Sequence, residues 1–313
     1  MNALPKPLDG KAAVFPSAAP QEVLGHLTWF TVPGQVEISR DDLMGGFARH
    51  ALREALLPRA IEPVDAFRRA TAAVQRSRIA LPGGRYMNLL VREVGVDAAG
   101  DCYRQVVREV VDSRNRRLEY SPAADLIHQA SGPAVATSLR VYDSEGWETV
   151  QAACLQAEEL YARFRRLYQA EALRSLFRRY LLELHSVLVR VSGGVYFVPA
   201  EHADELARLG ALAQEEALKA SWASFPVVDT KGARATIRDA VADDVARLLA
   251  GLRAGLAEEP GKRALSTLVG EAQAVLALIA SYEEVLSQDL FDLAQGARLV
   301  RDAVVQALDA AGA

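Results

Sequence analysis

Residues 187 to 199 read Val187-Leu188-Val189-Arg190-Val191-Ser192-Gly193-Gly194-Val195-Tyr196-Phe197-Val198-Pro199. Two β-branched and aromatic runs flank a pair of glycines, which reach positive φ without steric penalty, so the stretch predicts a tight β-hairpin. Its surroundings set the architecture. Before it, the apolar residues Val150, Cys154, Ala157, Tyr161, Phe164, Tyr168, Leu173, Leu176, Phe177, Tyr180 and Leu184 recur every three or four positions. That spacing marks one face of a helix and resembles a heptad seam, with an irregular step near Glu171 that is a stutter or a break between two helices. After the hairpin, residues 201 to 218 return to a helical pattern, and Ser224-Phe225-Pro226-Val227-Val228 reads as one more short strand. Two long stripes follow, Ile237 to Leu252 and Leu268 to Leu286, parted by Glu258-Glu259-Pro260-Gly261. Proline and glycine punctuate helices, so this is an antiparallel helical hairpin.

Working outward, the first twenty residues are rich in proline and small side chains and predict a flexible start. From Leu24 a strand runs to the stop at Pro33-Gly34. Ser39, followed by Asp41 and Asp42, fits the start of a helix, since a hydroxyl caps free backbone N–H groups and acids favour the positive first turn. Pro63 with Asp65 starts another. Residues 86 to 111 change to β-rich runs around Asp97-Ala98-Ala99-Gly100, a second hairpin, and residues 115 to 120 add a strand. The expected fold is α+β and predominantly helical. It has a small N-terminal α/β unit over 21–143 and a long antiparallel, coiled-coil-like arm over 144–186 and 231–313. A βαβ-like knob containing the hairpin, over 187–230, sits at the far end of the arm.

The chain has 313 residues, half of them apolar and 24% charged, which argues against wholesale disorder or a fibre. Two cysteines, Cys102 and Cys154, cannot build a disulfide framework or a four-thiolate metal site. The start lacks the apolar segment of a secretory signal, and no window holds about 20 unbroken apolar residues. These features lead to the expectation of a soluble cytoplasmic protein with no membrane partner.

Charge is more informative in its distribution than in its total of -4. Residues 201 to 313 hold 11 basic and 18 acidic side chains, leaving 25 and 22 for residues 1 to 200. Of the 36 basic residues only five are Lys, and Arg forks match phosphate and carboxylate geometry, although a GC-rich genome produces the same bias. Arg49, Arg53, Arg59, Arg68, Arg69, Arg76, Arg78 and Arg85 crowd one segment with three acids, and Arg163 and Arg166 share a helix face further on. Convergence of the two groups would neutralise several phosphates; the competing reading pairs them with the acidic C-terminal third.

No motif marks a reaction. A Walker A loop is missing, and the five histidines, His26, His50, His128, His185 and His202, lie far apart without metalloprotease spacing. Cys154 falls on an apolar stripe, where a thiol packs as a small hydrophobe. No cofactor, metal or catalytic residue is therefore expected. Tyr196, Phe197 and Trp222 are candidates for an aromatic interaction tip, with core packing as the alternative.

The segments Val36 to Leu43, Pro63 to Thr71 and Val189 to Pro199 together resemble an uncharacterised family found in bacteria, phages and archaea. The resemblance covers most of the chain and implies no catalytic residues; a phage or mobile-element association would point toward nucleic-acid or defence biology. The resulting expectation is a non-enzymatic interaction or assembly protein that binds DNA or RNA through Arg49, Arg53, Arg68, Arg69, Arg76, Arg78, Arg85, Arg163 and Arg166. A composite enzyme site is the alternative, and a cleft holding two or more of Arg85, His128, His185 and Glu183 would favour it. A purely structural homo-oligomer, closed through the helical arm, is the third reading.

Overall fold

The computed structural model describes residues 22–130, 135–139, 146–190, 193–287 and 290–311. The expected flexible start and residues Val191 and Ser192 of the hairpin lie outside them. In chain order the elements are β1 (Val23–Thr31), β2 (Glu37–Ser39), α1 (Arg40–Arg49), α2 (Pro63–Ala73), β3 (Arg76–Leu81), β4 (Arg85–Val96), β5 (Cys102–Val111), β6 (Arg117–His128) and β7 (Val135–Leu139). There follow α3 (Trp147–Phe164), β8 (Leu167–Gln169), α4 (Ala170–Glu183), β9 (Val187–Arg190), β10 (Val195–Pro199), α5 (Ala203–Ala213), β11 (Ser221–Val228), α6 (Lys231–Ala257), α7 (Lys262–Leu286) and α8 (Phe291–Ala310). The fold is α+β and mainly helical, with antiparallel strand pairing throughout.

The chain divides into two compact units. The first gathers, of the described residues, those up to Val36, Gly46–Leu56 and those from Leu173 on. Its four-stranded sheet has the order β11-β1-β10-β9. The predicted hairpin is there, β9 against β10, with Gly193 and Gly194 at φ 102° and 61°. The βαβ-like knob is corrected in one respect: β1, expected in the N-terminal unit, lies between β10 and β11 and pairs with both. Each of those strands otherwise leaves a row of backbone groups unbonded, and β1 supplies the partners. Pro226 is tolerated because β11 is an edge strand.

One face of this sheet buries Val187 and Phe197 against α6, α7 and α8, whose stripes include Val241, Val245, Val275, Ile279 and Tyr282. Each such side chain removed from water stabilises the unit by about 1.5–3 kcal/mol. The opposite face carries Phe30 and its register partner Trp222, which surround Phe177 of α4 at 5.3 and 5.9 Å between ring centres. A Cβ on Gly210 of α5 would lie 2.7 Å from the Trp222 indole, so the glycine is what lets that helix approach. The helical hairpin of α6 and α7 forms as expected around Glu258–Gly261. By length and composition α7 also qualifies as a membrane span, a test that core helices pass as well.

The second unit comprises Glu37–Gly45 and residues 57 to 172. Strands β3 to β7 form a five-stranded antiparallel meander, and β2 pairs separately with β8. Helices α2 and α3 cover one face, packing Phe67, Ala70, Val150, Cys154, Ala157 and Tyr161 on Met87, Leu89, Val106 and Leu126. Ser39 caps α1: its hydroxyl accepts from the Asp42 N–H at 3.1 Å. The seam expected over 144–186 breaks just before Glu171, the second of the two options its spacing offered. It is divided by β8, α3 belongs to this unit, and α4 from Leu173 belongs to the first, so the stripe serves two cores and not one coiled-coil arm. Three- and four-residue spacing reports a buried helix face but not what buries it.

Candidate nucleic-acid interface

Two turns meet at one end of the five-stranded sheet. The β3–β4 connection is Pro82-Gly83-Gly84, with both glycines at positive φ (74° and 69°). The β5–β6 connection is held by Asp112, whose Oδ1 accepts from the N–H groups of Arg114 and Arg116 at 2.8 and 2.9 Å. Asn115 takes φ 60° there, a conformation its short polar side chain tolerates better than most. The register aligns Ala80, Tyr86, Val111 and Arg117 across this end, so both turns and their flanking side chains form one rim.

The rim is basic and aromatic. Residues 76–88 and 108–120 together hold seven arginines and three acids, a local charge of +4. The Arg78 guanidinium lies 4.5 Å from the Tyr86 ring centre, and that of Arg117 lies 4.7 Å from the Tyr120 ring centre. Arg78 itself sits at φ 57°, at a register shift in β3, with its backbone N–H donating to Asn88 Oδ1 at 2.9 Å. The three acids are each occupied. Glu109 accepts from Asn88 at 2.9 Å and Arg117 at 2.8 Å, bonds that hold its carboxyl below the usual range. Asp112 is likewise held down, by the Arg116 backbone and then its side chain, and Glu119 by Arg108 at 2.6 Å. Arg76 and Arg78 meet neutral oxygens, those of Gln156 (2.5 Å) and Asn115 (3.4 Å). Arg85 donates to the Pro82 carbonyl at 3.1 Å.

Of the nine arginines expected to bind nucleic acid, three therefore stand at or beside this rim: Arg76, Arg78 and Arg85. Arg114, Arg116 and Arg117 join them. The sequence reading missed these three, although the run Arg114-Asn115-Arg116-Arg117 ahead of Tyr120 was its available signal. Elsewhere in the same unit Arg68 is engaged by Glu93 (3.1 Å) and Asp65 (3.7 Å), Arg69 by the Phe164 carbonyl and ring, and Arg163 by Glu37 at 2.7 Å. Arg166 is exposed just beyond α3. Arg49 and Arg53 belong to the other unit and bind Glu215 (2.7 Å) and Glu205 (2.8 Å), so their positive charge is largely neutralised internally.

The expected aromatic tip is not assembled. Phe197 is fully buried beside Tyr282, and Trp222 stacks within the Phe30–Phe177 cluster. Tyr196 borders a cleft of about 240 Å³ with Arg174 and Arg178. The exposed aromatic pair of the first unit is instead Trp29 and Phe225, stacked at 5.4 Å. Of the four residues that bear on an enzyme reading, His128 is buried with Nε2 3.0 Å from the Tyr161 hydroxyl, and Arg85 is on the rim. Glu183 and His185 line one cleft of about 550 Å³ in the first unit, together with Ser186 and Asp244.

The two units define a mixed α+β protein with an arginine–tyrosine rim on its antiparallel meander. The chain belongs to the family of unknown function DUF6744, whose model matches residues 23–313. No curated protein and no solved structure matches the chain.

Proposed function

We propose that this protein binds single-stranded nucleic acid through the rim of its five-stranded sheet and acts by interaction instead of catalysis. The observation that carries this reading is the stacking of two guanidinium groups on two tyrosine rings at one end of one sheet, Arg78 on Tyr86 and Arg117 on Tyr120. Arginine offers a fork to a phosphate and a plane to a base, and tyrosine offers a second plane. Stacking needs an unpaired base, which favours single strands over duplex. Glu109, Asp112 and Glu119 pair with Arg117, Arg116 and Arg108, and the charge of +4 that is left supports phosphate neutralisation at the same place.

The test is fluorescence anisotropy of nuclease-treated full-length protein with single- and double-stranded DNA and RNA, titrated with salt. Single strands are expected to bind with an affinity that falls steeply as salt rises, and each rim arginine removed lowers the salt slope by about 1. Absence of binding at low salt overturns the proposal, as does unchanged binding by an Arg78→Ala/Arg114→Ala/Arg117→Ala variant. The second reading, a small-molecule site, is favoured by the shared cleft of Glu183 and His185. It gains ground if ligand screening raises the melting temperature of wild-type protein but not of Glu183→Gln.

A further inference from the structure

His185 and His202 are seventeen residues apart in sequence, yet their rings meet edge to face with centres 5.3 Å apart. His185 follows the end of α4 at φ 51°, where its N–H donates to the Leu182 carbonyl at 3.0 Å and its own carbonyl accepts from the Tyr282 hydroxyl at 2.9 Å. His202 ends the helical turn that links β10 to α5, and Glu201 stands beside it. One ring nitrogen from each histidine and one carboxylate oxygen of Glu201 lie within 4.8 Å of one another. Independently, His185 Nδ1 and His202 Nε2 are buried without a hydrogen-bond partner. Glu201 Oε1 stands 3.5 Å from His202 Nε2 but outside hydrogen-bond geometry.

A buried imidazole nitrogen without a partner is costly, and coordination to an ion removes the cost. From this convergence we infer that His185, His202 and Glu201 bind a divalent transition-metal ion of the zinc class. Two imidazoles and one carboxylate are a ligand set such ions accept, with a fourth position left for water or substrate. Donors on a tetrahedral ion with bonds near 2.1 Å stand about 3.4 Å apart, so a closure of about 1.4 Å from the outer limit seats the ion. Glu201 is more than half exposed, so its carboxylate has room to rotate toward the imidazoles. The outer groups fit the role. Ser281 donates to Glu201 Oε1 at 3.2 Å, orienting the carboxylate. Glu201 borders a cleft of about 380 Å³ and His185 one of about 550 Å³, so solvent comes up to both residues while the two nitrogens themselves stay covered.

The experiment uses full-length protein stripped with chelator and then titrated with Zn²⁺ by calorimetry and with Co²⁺ by visible absorption. One equivalent is expected to bind, with the intense d–d bands of low-symmetry Co²⁺. Glu201→Gln is expected to weaken binding by at least about 10- to 100-fold, the loss seen even for outer-shell partners, and His202→Ala by more. His50→Gln serves as the control and leaves binding unchanged. Wild-type protein that binds no stoichiometric metal overturns the inference, and so does a His185→Ala/His202→Ala variant that binds like wild type. Far-UV circular dichroism of Glu201→Gln, whose side chain is largely in solvent, separates loss of ligand from loss of fold. Nucleic-acid binding at the rim stands or falls separately.

Discussion

Arg53 donates through Nε to Glu205 Oε1 at 2.8 Å, and its backbone N–H donates to the Tyr180 hydroxyl, which in turn donates to the same carboxylate oxygen at 2.6 Å. An arginine that sequence crowding assigns to a phosphate surface is thus part of an internal network. Arg53→Gln should leave nucleic-acid affinity unchanged and cost about 1 kcal/mol of stability or less, because the pair is partly solvated. Parallel anisotropy and urea titrations check both halves.

The same network fixes a pH dependence. Burial pushes the Glu205 carboxyl up, but the hydrogen bonds from Tyr180 and Arg53 outweigh it and hold it below the ordinary value; at Glu215 the Arg49 bond leads and acts in the same direction. A carboxyl whose folded pKa is depressed contributes stability above its unfolded value, near about 4.3, and loses it as pH falls through the folded value. The urea midpoint should therefore drop below about pH 4.3, and drop less in an Arg49→Gln/Arg53→Gln variant.

On the rim, Tyr86 and Arg78 should separate by readout. Tyr86→Leu removes a stacking plane and is expected to cost about 1–3 kcal/mol of single-strand affinity with little change in salt slope. Arg78→Ala should lower the slope by about 1. If both variants alter affinity alike at every salt concentration, the stacking role of Tyr86 is wrong.

Neither cysteine should react in the folded protein. Cys154 is buried and its thiol is pushed up to about 11 by burial, and Cys102 is shifted up for the same first reason. A thiol reagent at pH 7.5 should label neither under native conditions and both after denaturation. Rapid native labelling of Cys154 would count against the packing of α3 on the sheet.

Phe197 offers the reverse test, of core against surface. It is fully buried, and a Cβ on Gly25 of the neighbouring strand would stand 2.5 Å from its ring and 2.2 Å from the Val198 carbonyl oxygen. Phe197→Ala should cost about 3–5 kcal/mol, the range for an aromatic removed from a packed core. Gly25→Ala should also destabilise, through overlap instead of a cavity. Thermal denaturation measures both.

Local chemistry made much of this legible in advance. The turns at Gly193-Gly194 and Asp97–Gly100, the cap at Ser39, the start at Pro63 and the break between α6 and α7 all depend on a few adjacent residues, and all are found where the residue types require them. The rim was half legible. Arg76, Arg78 and Arg85 stood out by crowding, while Arg114 to Arg117 joined them only because β4 and β5 run antiparallel and return the two turns to one end.

What the sequence determined by itself is the kind of element where the pattern is strong, though not at β2, β3, β7 or β8: periodicity reports whether a residue is buried, and turn residues report where the chain reverses. Only the tertiary structure decided which buried faces meet. It set β1 between β10 and β11, and it divided one apolar stripe between two cores. It also spent Arg49 and Arg53 on Glu215 and Glu205, and it brought His202 to His185. Hydrophobic burial is non-directional, and an ion pair is available to any opposite charge within reach, so neither names its partner from the chain. Partners are chosen when backbone hydrogen bonding closes the sheets, which fixes register and with it every long-range distance.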